Sequence, residues 1–554
     1  MDDDVKKSLT RLQGLKNARS TWEGHWQELA EYFLPRRADF SGAGPVGAKR
    51  TDKQFDGTPM LAARNLAAAI DGLLKPKNAR WFNVRLQDGR AGERDDVRRW
   101  LQHAENILFQ ALYDPRARFV QYSSEVDLDL VVFGTGVLYV GETVGTGALA
   151  FRAHHLKNSY LAVGEDGNVD TLFLSQKLTA RQAEQRFGRA NLGAKTLEAL
   201  DENDPDTEFE FIRVCQPRFE RDLRRADNAN LPFSAIDIDM ESEHKIAESG
   251  FHEFPYVVPR WETSTGENYG RSPAMLALPD AKTLNQMSKT LLKAGHKAVD
   301  PPLLAPSDSL KSAMRTWPGG ISYFDAGVLT SSGGRVPIQP LTTGANVPLG
   351  REMQKDVRDQ IWNAFFRNIM SLPTDQPGMT ATEVLERKQE FIRVIGPVFG
   401  RLEADYTGPL VERVFAILMR AGAFGEPPAA LLGETLKFEY VSPISKAHKL
   451  VEVGAYTKTS AELAPLAQAD PGVLDNFDSD RIARGVAEAN GMPLDWLRAE
   501  EAIDGDRQGR AEAEATEAAK LDAERLASGA AKLGGAGINP DILAALDGGG
   551  GLPG

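Results

Sequence analysis

The chain has 554 residues, of which 42% are hydrophobic and 26% are charged, and its formal net charge at pH 7 is −13. This length suits several lobes around a large core, and no run of residues approaches the roughly 18 consecutive apolar residues that a membrane-spanning helix needs. Cys215 is the only cysteine, which excludes an intrachain disulfide and a cysteine-based metal site. The first residues lack the basic and apolar segments of a secretory signal.

The acidic net charge argues against a conventional nucleic-acid-binding protein, which would carry a basic surplus. Each phosphate that a protein neutralises strengthens its binding to DNA through counterion release. A protein through which DNA slides should therefore have few cationic contacts, and an acidic body with a few local lysines suits that task. It suits an acidic enzyme equally well.

The first 135 residues are predicted to be mainly helical. An amphipathic helix is expected over 5–34, with Trp22 and Trp26 in its apolar stripe and Pro35 as its stop. Thr58 is predicted to cap the next helix, since Pro59 follows it in the first turn. A strand over 81–86 and helices over 93–113 and 116–133 are predicted next.

Residues 137–249 are predicted to form strands, interrupted by short helices at 179–188 and 192–202. In the strand 233–240, Asp237 and Asp239 alternate with Ile236 and Ile238. A pair of carboxylates on one strand face could serve acid–base chemistry or hold a metal. We interpret them instead as the solvated outer face of an exposed sheet.

The segment from residue 261 to residue 423 has the order helix, β-rich excursion, helix, tight loop and long helix. The first helix is predicted over 280–299 and the second over 349–370. Thr380 and Glu383 have the spacing of a capping box at the start of the third, and Pro397 and Pro409 are expected to kink it.

Four lysines of the first of these helices, Lys282, Lys289, Lys293 and Lys297, are 7, 4 and 4 residues apart and fall along one side. This lysine stripe is either a weakly phosphate-binding face or the solvated face of an ordinary amphipathic helix. In the second helix, the basic residues Arg351, Lys355 and Arg358 alternate with the acidic residues Glu352, Asp356 and Asp359. We interpret those charges as pairs within the helix or between subunits.

Short motifs follow one another along roughly residues 15–445 in a recognisable order and spacing. The first are Trp22 with Trp26, Asp56-Gly57-Thr58-Pro59, Lys75-Pro76, Trp81-Phe82 and Phe133-Gly134-Thr135-Gly136. Those that follow are Trp261, Tyr269-Gly270-Arg271-Ser272-Pro273, Leu284-Asn285, Pro301-Pro302, Pro318-Gly319-Gly320 and Met379-Thr380-Ala381-Thr382-Glu383. By these motifs the chain resembles the head-to-tail connector, or portal, proteins of short-tailed double-stranded DNA bacteriophages.

The resemblance implies an α+β, predominantly helical portal fold with a wing, a stem, a clip and a helical crown, assembled as a dodecameric ring. The implied parts are N-terminal helices and an α+β wing (1–272), two stem helices (273–299 and 349–370), a clip (300–348), a channel loop (371–379), and a long kinked helix with the return strand of the wing (380–443). Beyond about residue 450 the resemblance ends; the helical composition of 444–530 is compatible with a crown, and the glycine-rich composition of 531–554 predicts a flexible tail.

The resemblance further implies that double-stranded DNA passes along the stem and the channel loop. The residues expected to line its path are Lys282, Lys289, Lys293, Lys297, Ser371, Leu372, Thr374, Asp375, Gln376, Gly378 and Met379. The loop has no basic residue, so we expect it to narrow the bore without holding phosphates. Neither a cofactor nor a metal is expected.

The implied partners are other copies of the chain, the terminase, capsid or scaffold proteins and tail adaptors, with no membrane. The implied location is the portal vertex of the virion, after assembly in the host cytoplasm. Two alternatives stay open, a structural ring adaptor other than a portal and an enzyme of DNA metabolism. The enzyme would need a phosphate loop, a carboxylate cluster or a nucleophile with its base, and none occurs at a usable spacing.

Overall fold

A computed structural model gives the structure of the chain. It describes residues 3–42, 47–87, 95–143, 147–301 except 223 and 226, 303–304, 339–340, 347–367, 396–440 except 432, 453–465, 472, 476–489, 492 and 500–534. The chain divides into two units. The first comprises Met1–Asp88 and Trp100–Ile444, and the second comprises Gly89–Arg99 and Ser445–Gly554.

Helices and strands are both present, and helices predominate, as the sequence predicts. The described α-helices of eight or more residues as far as residue 420 are α1 (Asp3–Phe33), α2 (Thr58–Leu74), α3 (Asp95–Leu112), α4 (Phe119–Phe133), α5 (Ala180–Phe187), α6 (Ala194–Asp201), α7 (Pro273–Val299), α8 (Val347–Ala364) and α9 (Gly408–Arg420).

The described strands form four antiparallel sheets, of orders β4-β5-β6-β7-β8, β3-β2-β9, β1-β12 and β10-β11. Their bounds are β1 (Phe82–Leu86), β2 (Leu138–Glu142), β3 (Leu149–Ala153), β4 (Ser159–Val163), β5 (Val169–Thr179), β6 (Glu208–Pro217), β7 (Phe233–Asp239), β8 (His244–Phe251), β9 (Tyr256–Val257), β10 (Leu303–Leu304), β11 (Gln339–Pro340) and β12 (Leu436–Tyr440). Strand β12 returns to pair with β1, some 350 residues earlier, with Tyr440 opposite Phe82.

The largest core lies where α1, α2, α4, α7 and α8 meet the edge of the five-stranded sheet. Trp26 and Phe33 of α1, Leu284 of α7 and Ile361 of α8 are all buried in it. The apolar stripe of α1 thus packs as its periodicity predicts. Apolar burial of this kind is the main favourable term in folding.

A buried arginine ties α1 to β4. The Arg19 guanidinium is 2% exposed and donates to the carbonyl oxygens of Leu156, Lys157 and Ser159 at 2.8–2.9 Å. It lies over the Tyr160 ring at 3.7 Å and pairs with Glu23. Since its donors are all matched to acceptors, the charge can be buried.

The predicted cap at the start of α2 is one residue off. Thr58 is the first residue of the helix, Gly57 is its N-cap, and the Thr58 backbone N–H donates to Asp56 Oδ1 at 2.9 Å. The Asp56 carboxylate therefore accepts the hydrogen bond at the start of the helix, a role that the sequence predicts for the Thr58 hydroxyl. Pro59 is in the first turn as predicted.

The interpretation of Asp237 and Asp239 as solvated residues is wrong. Both are buried, at 3% and 1% exposure. The guanidinium of Arg213, on the neighbouring strand β6, donates two hydrogen bonds to the Asp237 carboxylate, at 2.9 and 2.8 Å. Asp239 accepts from the Glu241 N–H and the Ser242 hydroxyl. The register of β7 shifts between Asp237 and Ile238, so simple alternation fails there.

The helices around the β-rich excursion differ from the predicted spans mainly at their ends. Helix α7 coincides with the implied stem helix 273–299, whereas α8 begins at Val347 and ends at Ala364, short of residue 370. Of the implied clip, the structure describes the β10–β11 pair and the residues that adjoin α7 and α8. The channel loop 371–379 and the Thr380–Glu383 capping box lie outside the described residues.

The helix before α9 changes its hydrogen bonding close to one predicted kink. Residues 396–402 are helical, and Glu403–Thr407 form a π-helical segment directly before Gly408-Pro409. A proline removes a backbone donor and crowds the preceding turn, which accounts for the altered pattern. In the second unit, helices span 453–465, Ser479–Ala489 and Glu500–Gly534. The last of these enters the predicted tail, whose residues from 535 on lie outside the described part.

Candidate functional site

The first turns of helix α7 are buried in the core. The Ser272 hydroxyl caps the helix by accepting from the Met275 N–H at 3.1 Å, and it donates to the Val132 carbonyl at 2.8 Å. Ala277, Ala281 and Leu284 are buried, whereas every residue from Leu292 to Val299 except Ala294 and Gly295 is exposed. The helix thus begins in the core of the first unit and becomes exposed towards its end.

Two of the sequence motifs cross each other just before α7. Gly134 has φ +79°, and a Cβ added to it would lie 2.2 Å from the Gly270 carbonyl oxygen; a Cβ on Gly270 would lie 2.3 Å from the Gly134 carbonyl oxygen. The Gly270 N–H donates to the Thr135 hydroxyl at 2.8 Å, and the Trp261 N–H donates to the Gly134 carbonyl at 2.9 Å. Both positions need glycine because the two backbones touch.

The aromatic motif residues also come together. Trp22, Trp26 and Tyr269 form one cluster with Phe40, with ring centroids 5.0–5.9 Å apart. The Tyr269 hydroxyl accepts from the Leu161 N–H. These motif residues are therefore structural, and they fix the chain that leads into α7.

Helices α7 and α8 pack against each other in antiparallel directions. Gln354 Nε2 donates to Ser288 Oγ at 2.9 Å, and Gly350 lies against Leu291, so close that a Cβ there would be 2.8 Å from Leu291 Cδ2. Residue numbers rise from Ser288 to Leu291 along α7, while those of the contacting residues fall from Gln354 to Gly350 along α8. The two helices are therefore antiparallel. We call these two elements the α7/α8 pair.

Asp56 clamps the α7/α8 pair from outside. Its Oδ2 accepts from Arg358 Nη2 at 2.7 Å and from Ser288 Oγ at 3.3 Å. Burial would raise the pKa of Asp56, but the hydrogen bonds from Thr58 and Arg358 outweigh it and hold the pKa below its ordinary value. Arg358 therefore pairs with another element of its own chain, where the sequence suggested a partner on its own helix or on another subunit.

The lysine stripe does not behave as one unit. Lys282 forms an ion pair with Glu28, and Lys289 lies 5.4 Å from the centre of the Phe55 ring. Lys293 and Lys297 are exposed and have no ion-pair partner within the described part of the chain. The loop residues expected beside them (Ser371, Leu372, Thr374, Asp375, Gln376, Gly378 and Met379) lie outside the described residues.

The described part of the chain contains no group of three or more His, Cys, Asp or Glu residues placed to hold a metal ion. Burial raises the pKa of the Cys215 thiol to about 12, which leaves it a poor nucleophile. Nor does any described helix combine the length and the apolarity that crossing a membrane requires.

The chain matches a known family over most of its length. Residues 5–497 match the family described as bacteriophage head to tail connecting protein, and the chain belongs to this family. It is 29% identical to the portal protein of Salmonella phage epsilon15 over 520 residues, which cover 92% of each protein. It is 28% identical to a probable portal protein of Bordetella phage BPP-1 over 497 residues, or 88% of this chain and 87% of that one.

The chain accordingly has the role of a phage portal, or head-to-tail connector. This family is structural, and portal proteins are components of the virion. The elements that the sequence motifs hold in place, the α7/α8 pair above all, are the candidate site for that role.

Proposed function

We propose that copies of this chain form a dodecameric ring at one capsid vertex, through which genomic DNA is packaged and later ejected. The α7/α8 pair carries the proposal, because it is anchored at one end by a buried core and by Asp56 and projects from the body at the other. Such a rigid, two-helix rod can wall a channel when copies stand side by side.

The exposed apolar side chains of the α7/α8 pair support assembly. Leu276, Leu292 and Val299 of α7 and Leu349 and Met353 of α8 are all between 52% and 88% exposed in the single chain. Exposed large hydrophobic residues on two paired helices favour contact with another protein. Side-by-side copies would bury part of it.

In this proposal the bore is narrowed by the loop 371–379, with Ser371, Leu372, Thr374, Asp375, Gln376, Gly378 and Met379 beside the DNA. The loop is free of basic residues and the whole chain is acidic, so a duplex meets few groups that would retain its phosphates. The protein acts without catalysis, by holding an opening of fixed size.

The proposed partners follow from that position in the particle. The terminase docks during packaging and tail adaptors dock afterwards, at the β-rich excursion between α7 and α8, and capsid or scaffold proteins surround the ring. Assembly takes place in the host cytoplasm. A ring adaptor other than a portal stays the second candidate, and it differs in having no need for a DNA-sized opening.

The mass of the purified protein in solution tests the proposal. We expect a particle of twelve times the 60.6 kDa of one chain, with no turnover of nucleotides or DNA. A single-copy protein with catalytic turnover would overturn the proposal in favour of an enzyme. An open filament, or an assembly of two copies, would also contradict it.

A further inference from the structure

Three acidic side chains share the outer side of α8. Glu352, Asp356 and Asp359 are 4 and 3 residues apart, all are exposed, and none has an ion-pair partner within the described part of the chain. Glu352 follows Gly350 by two residues and Asp356 follows Gln354 by two, and two residues correspond to a turn of about 200° around a helix. This acidic stripe therefore points away from α7.

The lysine stripe lies on the outer side of α7 by the same geometry. Lys293 follows Leu291, which contacts α8, by two residues, and Lys289 precedes it by two. From Lys282 to Val299 the helix contains no acidic residue. The α7/α8 pair thus has lysines on the outer side of α7 and the acidic stripe, with the exposed Lys355 beside it, on the outer side of α8.

The two stripes also lie at matching levels along the pair. Ser288 is opposite Gln354 and α7 and α8 are antiparallel, so Lys289 is level with Met353 and Lys293 with Leu349. Asp356 is three residues beyond Met353, and Glu352 is three residues beyond Leu349, in the same direction along α8. Three residues correspond to about 4.5 Å along the helix axis, at a rise of 1.5 Å per residue. A copy standing beside the first at the same height would bring both lysines within reach of both acids.

We propose that Lys289 and Lys293 of one subunit pair with Asp356 and Glu352, respectively, of the next. This inference rests on the proposed ring. The two contact surfaces differ from each other and lie on opposite sides of the α7/α8 pair, which is the arrangement that a closed head-to-tail ring requires. Leu349 and Met353, which flank the acidic stripe, are covered by the same contact.

This assignment gives the lysines a role other than holding DNA. Exposed ion pairs contribute little stability one at a time, but like charges brought face to face at an interface are unfavourable, so the pairs select the partner and its register. A lysine that is paired with a neighbouring carboxylate is also less available to a passing phosphate. The channel wall then stays weakly attractive to DNA, in keeping with the net charge of −13.

Charge reversal in two complementary variants tests the pairing. The first variant carries Lys289→Glu and Lys293→Glu, and the second carries Glu352→Lys and Asp356→Lys. Each alone places like charges at every subunit contact. Mixed in equal amounts they restore opposite charges at every contact between unlike copies, in rings that alternate the two.

We expect each variant alone to need at least about tenfold more protein than the wild type for half of the chains to assemble, since every contact then carries repelled pairs. The equimolar mixture should assemble as the wild type does, with both variants in each ring by native mass spectrometry. Lys6→Glu with Lys520→Glu, a matched change at two exposed lysines elsewhere, should leave assembly unchanged.

Circular dichroism and thermal unfolding of the unassembled variants confirm that each is folded. If the wild type forms rings and both variants form them equally well, the pairing is wrong, and the lysines face the DNA or the solvent. The pairing also fails if the mixture does not restore rings. If the wild type itself forms no ring, the proposed function fails with it.

Discussion

At the scale of single residues, the most consequential contact is the buried ion pair between Lys75 and Asp127. Lys75 Nζ lies 2.7 Å from both carboxylate oxygens of Asp127 and 2.9 Å from the Tyr406 hydroxyl, and all three residues are buried. They join the end of α2, the middle of α4 and the π-helical segment before α9. The sequence singles out Lys75 as a motif residue, but it does not reveal Asp127 or Tyr406, which lie 52 and 331 positions away.

Removing the cation from this contact should destabilise the protein strongly. Lys75→Met leaves the Asp127 carboxylate buried without a counter-charge, at a cost of roughly 3–5 kcal/mol. Lys75→Met with Asp127→Asn removes both charges and should recover part of that loss. Thermal unfolding of the wild type and the two variants measures the difference, and equal unfolding temperatures for the two variants would show that the pair does not act as described.

The same carboxylate should respond to pH. Burial raises the pKa of Asp127 to about 6, against the opposing effect of Lys75. The folded chain then binds this proton more tightly than the unfolded chain, whose aspartates have a pKa of about 4, so the free energy of unfolding falls as the pH rises from about 4 through 6.

Comparison with Asp127→Asn isolates this effect. The variant cannot ionise at this position, so the unfolding temperature of the wild type relative to the variant should be highest near pH 4 and fall by a few degrees towards pH 7. A constant difference across this range would mean that the folded-state pKa of Asp127 is not raised.

At the scale of elements, the crossing of Gly134 with Gly270 decides how α4 and α7 are joined. Each glycine approaches the other's carbonyl oxygen too closely for any side chain, and Gly134 also has a positive φ. Two hydrogen bonds hold the crossing on both sides. The Gly270 N–H donates to the Thr135 hydroxyl, and the Ser272 hydroxyl donates to the Val132 carbonyl. The direction in which α7 leaves the core therefore depends on two residues without side chains.

Alanine at either glycine should be among the more damaging single substitutions in the chain. We expect Gly134→Ala and Gly270→Ala each to cost more than about 2 kcal/mol, because backbone must move to admit the methyl group. Gly14→Ala is the matched control, since the position lies inside α1 with open space around it and should be neutral or stabilising. Unfolding temperatures test all three, and a Gly134→Ala or Gly270→Ala protein as stable as the Gly14→Ala protein would contradict the crossing.

Periodicity in the sequence was enough to predict most elements but not the environment of their side chains. Helix α1, strand β1 and the part of α7 from residue 280 onward follow from local patterns of apolar residues, whereas the first turns of α7, from Pro273, do not. The burial of Asp237 depends on Arg213 of a neighbouring strand and on a register shift, and the pairing of Arg358 depends on Asp56, 302 positions away. Contacts of that kind are set by tertiary packing, which a local pattern does not encode.

At the scale of the whole molecule, the core of α1, α2 and α4 fixes the base of the α7/α8 pair. In the proposed channel, the exposed outer sides of this pair would join neighbouring copies, and the acidic net charge would keep the attraction for DNA weak. A subunit contact covers apolar side chains as well as pairing opposite charges. High salt should therefore weaken ring formation less than it would weaken binding to DNA phosphates.

The most direct test is an electron cryomicroscopy image of the assembled protein along its symmetry axis. The account predicts a closed dodecameric ring with a central opening wide enough for a DNA duplex, walled by α7 and α8 of all copies. A single-copy particle, or a closed assembly without a central opening, would contradict it.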